Sequence, residues 1–207
     1  SSLEKSVSLG KPLSSEIMVI AANLDVQRPS DCPLYLRDTN LLPNAEREYR
    51  GGVHAGIDFL CDEPGRQATA AIDGRVVMAH DGFDDPTLEE RDAILAGAVA
   101  RGTTPPWTLA MLYGSFVVLD HGQIDGLGHV ATVYAHLASI APGIEEGAAV
   151  SAGEVLGVSG NSGTSSGSRG SQDGIHLHWE IYIDDVFLGA GLGATEVGEV
   201  YSALFPG

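Results

Sequence analysis

From Tyr49 onward the chain runs as short apolar stretches, each bounded by Gly, Asp or Ser, the pattern of strands joined by tight turns. An earlier stretch over residues 16–22 reads as a strand, closed off by Pro29 and Pro33. Residues 54–60 read as a strand after the Gly51-Gly52 turn. Residues 68–79 read as a hairpin, Ala70-Ala71-Ile72 and Arg75-Val76-Val77-Met78 about Asp73-Gly74. Residues 116–119, 130–137, 155–158 and 175–183 complete the strands, with a long Gly/Ser loop over 159–174 before the last. One segment has a different period. Thr87-Leu88-Glu89-Glu90 is a capping box, Ile94, Leu95, Ala98 and Val99 follow at helical spacing, and Gly102 ends the run. This helix, near residues 87–101, lies in an insertion over 82–115 and is expected to cover a sheet face. The fold class is mainly β with one inserted helix.

Composition narrows the picture. A chain of 207 residues, 43% hydrophobic, can bury one good core with a short appendage. The division expected is an N-terminal arm, residues 1–30, and a domain over 31–207. The 27 glycines and 6% aromatics favour strands and turns over a helical bundle. The net charge of -17, with Lys5 and Lys11 as the only lysines, excludes a nucleic-acid groove. It reads as a solubilising surface, and more sharply as adaptation to a salty medium. No apolar run reaches the length of a membrane span. No signal peptide opens the chain, which begins Ser1-Ser2 without Met and looks trimmed. Cys32 and Cys61 leave one internal pairing, and two buried thiols or a disulfide are both open on the pattern. We expect the bridge, because alternation turns Cys61 away from the face of Asp58.

Three of the seven histidines fall in two patterns, and a fourth joins them. His54-Ala55-Gly56-Ile57-Asp58 offers an imidazole and a carboxylate on one face, both good zinc ligands. In His176-Leu177-His178-Trp179-Glu180-Ile181, alternation sets His176, His178 and Glu180 on one face and Leu177, Trp179 and Ile181 in the core. Glu180 is either a hydrogen-bonding support for that face or a solvated strand-end acid. In Val133-Tyr134-Ala135-His136-Leu137, Tyr134 and His136 share a face. His54, Asp58 and one of the paired histidines would give a metal three ligands and leave a fourth position open, as in a catalytic site. Alternation does not say which of His176 and His178 reaches the metal. His80, His121 and His129 read as turn or surface residues.

The order His-x-Gly-x-Asp, Tyr-Ala-His-Leu, Gly-x-His-Leu-His-Trp-Glu, spanning residues 51–183, resembles the lysostaphin/LytM-type zinc metalloendopeptidases, metallopeptidase family twenty-three. The resemblance implies an antiparallel β-sheet flooring a narrow groove. It implies Zn2+ held by His54, Asp58 and His178, with His136 and His176 as a catalytic pair that does not ligate it. The implied partner is peptidoglycan or a peptide substrate, cut in stems or cross-bridges by a secreted or envelope enzyme, expected to be a monomer. All five positions are filled, unlike relatives that have lost ligands and regulate wall hydrolases. That regulatory role, or cleavage of Gly-rich extracellular protein, is the alternative. Two departures, a longer loop over 161–174 and the helical insertion, would border the groove and bear on bond specificity. In some relatives an upstream Asn closes the metal site. Asn40 and Asn44 precede His54, but residues 42–50 read as part of the domain, so trimming residues 1–30 is expected to leave activity about unchanged.

Overall fold

A computed structural model of the protein describes residues 19–22, 24–61 and 63–206. Two short strands, β1 (Glu46–Arg47) and β2 (Gly52–Val53), pair with each other. Nine more form one antiparallel sheet: β3 (Ile57–Leu60), β4 (Gln67–Thr69), β5 (Gly74–His80), β6 (Ser115–Ile124), β7 (Gly128–Ile140), β8 (Ala149–Val150), β9 (Val155–Ser159), β10 (His176–Ile183) and β11 (Val186–Phe187). They run in the order β11-β10-β7-β6-β5-β8, with β3 on β10, and β9 joining β7 to β4. The protein is thus mainly β, as the turn-bounded apolar runs predict.

Alternation sorts the two faces. Leu177, Trp179 and Ile181 of β10 are fully buried in the main core with Tyr134, Leu137, Ile57 and Phe59. That core is covered by a C-terminal helix over Ala194–Leu204, whose Val197, Val200, Tyr201 and Leu204 are buried. Their i, i+3, i+4, i+7 spacing sets all four on one helical face. The other face carries a small apolar cluster of Phe116, Val133 and Ala135, with Tyr113, Val118 and Tyr182 against it.

Four expectations are corrected. Residues 19–22 are helical, with the Leu24 N–H on the Ile20 carbonyl, and the rest of the proposed strand over 16–22 lies outside the described residues. The hairpin about Asp73-Gly74 does not form. Instead β4 pairs with β9, and β5 with β6 and β8. The backbone of residues 70 and 71 bonds elsewhere, to Glu154, Gly153, Gln27 and the Tyr134 hydroxyl, while Gly74 allows close approach to the Asp120 carbonyl. Residues 54–60 are not one strand, since β3 begins at Ile57. The insertion holds two helices rather than one, α1 (Leu88–Arg101), with its Thr87/Glu90 capping box and Gly102 cap, and α2 (Pro106–Tyr113). A proline at the start of α2 suits the first helical turn, where its missing N–H has no partner to lose.

Cys32 and Cys61 form a disulfide. Ala21 and Leu24 lie in the main core, and Arg28 stacks over Phe59, so the described part of the arm packs on the sheet. Trimming residues 1–30 therefore removes core contacts as well as any obstruction of the groove. No helix among the described residues is long and apolar enough to cross a membrane.

Candidate metal centre

Asp58 on β3 lies directly across the ladder from His178 on β10, so both side chains leave the sheet on one face. His54 comes from the turn before β3, its N–H on the Ala45 carbonyl and its own carbonyl accepting from Asn44, each at 2.8 Å. Gly56 lets this turn close on β10. A Cβ there would stand 2.4 Å from the Trp179 carbonyl oxygen and 2.9 Å from His178 Cε1, so no side chain fits.

Three ligand atoms meet as a result. His54 Nε2 is 3.1 Å from Asp58 Oδ1, His178 Nδ1 is 2.9 Å from the same oxygen, and the two nitrogens are 2.9 Å apart. The outer nitrogens fix the tautomers. His54 Nδ1 lies 3.1 Å from the Leu42 carbonyl oxygen, which can only accept, and His178 Nε2 lies 2.8 Å from Glu180 Oε1. Each outer nitrogen therefore carries a proton, and with both rings neutral each inner one turns a bare lone pair toward the other and toward a carboxylate. All three residues are buried. Such an arrangement repels itself unless a proton or a metal cation sits within it, and two imidazoles with one carboxylate, each ring held from behind, are a donor set that fits a cation. His54, Asp58 and His178 can thus hold a metal ion.

Without a cation, a proton on His178 takes that place. Burial opposes charging His178, but its bonds to Asp58 and Glu180 outweigh this and raise its pKa to about 9. Burial also disfavours the Asp58 anion, yet His54, His176 and His178 hold its carboxyl well below the usual range. Burial lowers His54 against the pull of Asp58. Glu180 is 1% exposed, which decides its role as a support and not a solvated acid. Its Oε2 accepts from the Tyr113 and Tyr182 hydroxyls at 2.8 and 2.9 Å. Tyr113 belongs to the unexpected α2, so no local motif announces it.

His136 and His176 stand beside these three, their ring centroids 4.6 Å apart, with His176 Nε2 3.9 Å from Asp58 Oδ1. Strict alternation breaks at His136. Tyr134 pairs with Trp179 and is buried in the main core, whereas Ala135 stands opposite His178. Strict alternation would send His136 after Tyr134 into the core. Its φ of 61° and the register shift against β6 between Tyr134 and Leu137 turn it to the cleft instead. Ser162 holds this bulge: its carbonyl receives His136 Nδ1 at 2.8 Å, its hydroxyl donates to the Leu137 carbonyl, and it accepts from the Ser115 N–H. Gly114, at φ 68°, leaves room for Ser162 where a Cβ would meet its hydroxyl at 2.4 Å. His176 Nδ1 donates to the Gly174 carbonyl at 2.7 Å. Burial, with the neighbouring His176 and His178, pushes the His136 pKa well down.

All five residues line one cleft of about 310 Å³. Leu109, Leu112 and Tyr113 of α2 and Arg91 of α1 form one wall, so the insertion shapes the cleft rather than only covering a sheet. Gly163, Thr164 and Ser165 border it from the longer loop, which is held by Asn161 bonds to the Ser171 and Asp173 carbonyls. Asn44 does not approach the centre: its amide bonds the Gly189 and Leu192 carbonyls, and Asn40 is exposed. His80, His121 and His129 stay outside the cleft.

The sequence model of peptidase family M23 matches residues 52–188. No curated protein matches the chain. Among solved structures it is similar to Helicobacter pylori Csd3, at 19% identity over 78% of this chain and 32% of that one, TM-score 0.45. It is also similar to a putative peptidase M23 from Pseudomonas aeruginosa, at 20% over 91% and 64%, TM-score 0.47. Lysostaphin is similar at 19% over 80% and 46%, TM-score 0.38. The chain spans about a third of the Csd3 chain that it matches. The family match covers every strand from β2 to β11 and all five clustered residues, and on it the chain belongs to peptidase family M23.

Proposed function

We propose that the protein is a zinc-dependent endopeptidase that hydrolyses peptide bonds of peptidoglycan stems or cross-bridges outside the cytoplasm. Residues 31–207 are taken as its catalytic domain. The observation that carries this reading is the convergence of His54 Nε2, Asp58 Oδ1 and His178 Nδ1 with every outer partner in place. Two nitrogens and one oxygen suit Zn2+ and leave one of its four positions open. The ion would supply Lewis acidity, polarising a carbonyl and lowering the pKa of water to about 7.

The protein's own groups supply the rest. With Nδ1 of His136 and His176 donated to carbonyl oxygens, both rings turn Nε2 to the cleft. Burial keeps His136 neutral, so its Nε2 can take a proton from water and return it to the leaving amine. His176 Nε2, 3.9 Å from Asp58 Oδ1, faces the cleft where an oxyanion would develop. The insertion and the long loop wall the cleft and restrict water around the bond. The disulfide supports an oxidising location. Incubation with purified peptidoglycan and, separately, with a Gly-rich protein, followed by mass spectrometry of the cut bonds, tests the reading. A zinc-loaded protein that cuts neither would point to a regulator of other hydrolases.

A further inference from the structure

The cleft carries a charge that the rest of the molecule does not explain. The protein has 28 acidic residues against 11 basic ones, so arginines should find carboxylate partners easily. Among the described residues only Arg66 does, bonding Asp31 and Glu63, while Arg28, Arg75 and Arg101 settle for backbone carbonyls. Yet Arg47, Arg50 and Arg91 line the same cleft as the clustered histidines, and none of them forms an ion pair among the described residues. Arg50 is buried and held by the Thr104 hydroxyl and the Val53 carbonyl, while Arg47 reaches the Asn40 carbonyl.

Arg91 is the unusual one. It comes from α1, is 9% exposed, and its Nε is buried without a hydrogen-bond partner. Among the described residues its guanidinium has neither hydrogen bond nor ion pair; its contact is the Tyr49 ring, 5.9 Å away. The carboxylates sharing the cleft are already engaged: Asp58 by His54 and His178, Glu180 by His178 and two tyrosines. Asp85 feels Arg91 electrostatically but takes the Gly163 N–H and does not pair with it. A buried cation without a partner is costly. One that faces a binding cleft gains its partner from the ligand, and a planar guanidinium fits a carboxylate best.

We propose that Arg91, with Arg50 beside it in the cleft wall, recognises a carboxylate that the substrate carries near the scissile bond. This rests on the peptidase reading above and narrows its substrate. A neutral Gly-Gly segment offers no such group. A peptide with a free C-terminus close to the cut, or with an acidic side chain next to it, does.

Matched short peptides test this on the zinc-loaded full chain. One pair ends in a carboxylate or in an amide, and a second pair is amidated throughout and carries Glu or Gln beside the cut. Wild type is expected to favour one carboxylate member by about 10- to 100-fold in kcat/KM, the range of a charge-assisted contact, and the favoured pair identifies the source of the group. Arg91→Gln should shrink that preference to about twofold, chiefly through KM, and Arg91→Lys should retain part of it. Calorimetric binding of the same peptides is read alongside. A carboxylate preference in binding without turnover would sustain the inference while refuting the peptidase. Turnover without preference in either pair, preference undiminished in both Arg91 variants, or no binding of any peptide would overturn the inference.

Discussion

At the scale of single residues, the proposed function separates groups that would hold a metal from groups that would use it. Ala at His54, Asp58 or His178 removes one of the three inward donors and is expected to lose bound zinc and activity together. Ala at His136 or His176 leaves those donors intact, so zinc should stay while the rate falls by about 10²–10⁴-fold. Zinc content measured beside turnover decides between them. Zinc lost from His176→Ala but retained by His178→Ala would reverse the two roles. Glu180 gives a finer test, because its carboxylate sets the His178 tautomer from behind. Glu180→Gln should weaken zinc binding by about 10–100-fold without abolishing it, read by competition with a chelator. An unchanged affinity would reduce Glu180 to a buried polar filler.

At the scale of elements, the site depends on how closely the turn before β3 approaches β10. A methyl at Gly56 would collide with backbone, which cannot swing aside as a side-chain end can. Gly56→Ala should cost about 1–3 kcal/mol in denaturant unfolding and lower zinc occupancy in the same preparation. Unchanged stability would mean that β3 can shift freely. The strands and three motifs that matter here were legible because they depend on local order: alternation set His176, His178 and Glu180 on one face, and a Thr/Glu capping box announced α1. What escaped depends on partners distant in sequence. The backbone of residues 70–71 chose Glu154 and Gln27 over a hairpin, and α2 packs against an apolar cluster that no window of its own sequence reveals. His136 escaped alternation through one left-handed residue. His121 shows the same effect on a residue expected to be a bystander. It sits at the bulge of β6, with Asp73 and Thr132 as hydrogen-bond partners. Burial lowers its pKa, against the Asp73 carbonyl and the Asp120 and Asp73 charges, with His129 adding to the lowering. A folded pKa below the unfolded one means that the unfolded chain binds the extra proton. Its contribution to stability is full above the unfolded value, about 6.5, and is lost as pH falls toward the folded pKa. His121→Gln should flatten the decline of melting temperature just below pH 6.5. A slope identical to wild type would contradict this.

At the scale of the whole molecule, two features act on stability over the entire chain. The Cys32–Cys61 bridge closes a loop of separation 29, and in the chain-entropy model its reduction should cost about 3.5 kcal/mol. The larger lever is charge. A net charge of -17 on 207 residues repels itself in every compact state, and only 11 basic residues are present to offset it. Three of those sit in the cleft without carboxylate partners, so they relieve little of the repulsion on the outer surface. Salt shortens the range of that repulsion, from about 10 Å at 0.1 M to about 3 Å at 1 M. It also screens the surface ion pairs, but Arg66 with Asp31 and Glu63 is an exposed group of the kind worth little. The repulsive term should therefore win, and the melting temperature should rise as sodium chloride goes from low to molar concentration. The same screening acts in the opposite direction in the cleft, where attraction for a carboxylate should weaken and KM for a carboxylate-bearing peptide should rise. Melting curves and KM measured in one salt series separate the two effects. A melting temperature that stays flat or falls would mean that the acidic surface merely solubilises the protein, with no adaptation to a salty medium.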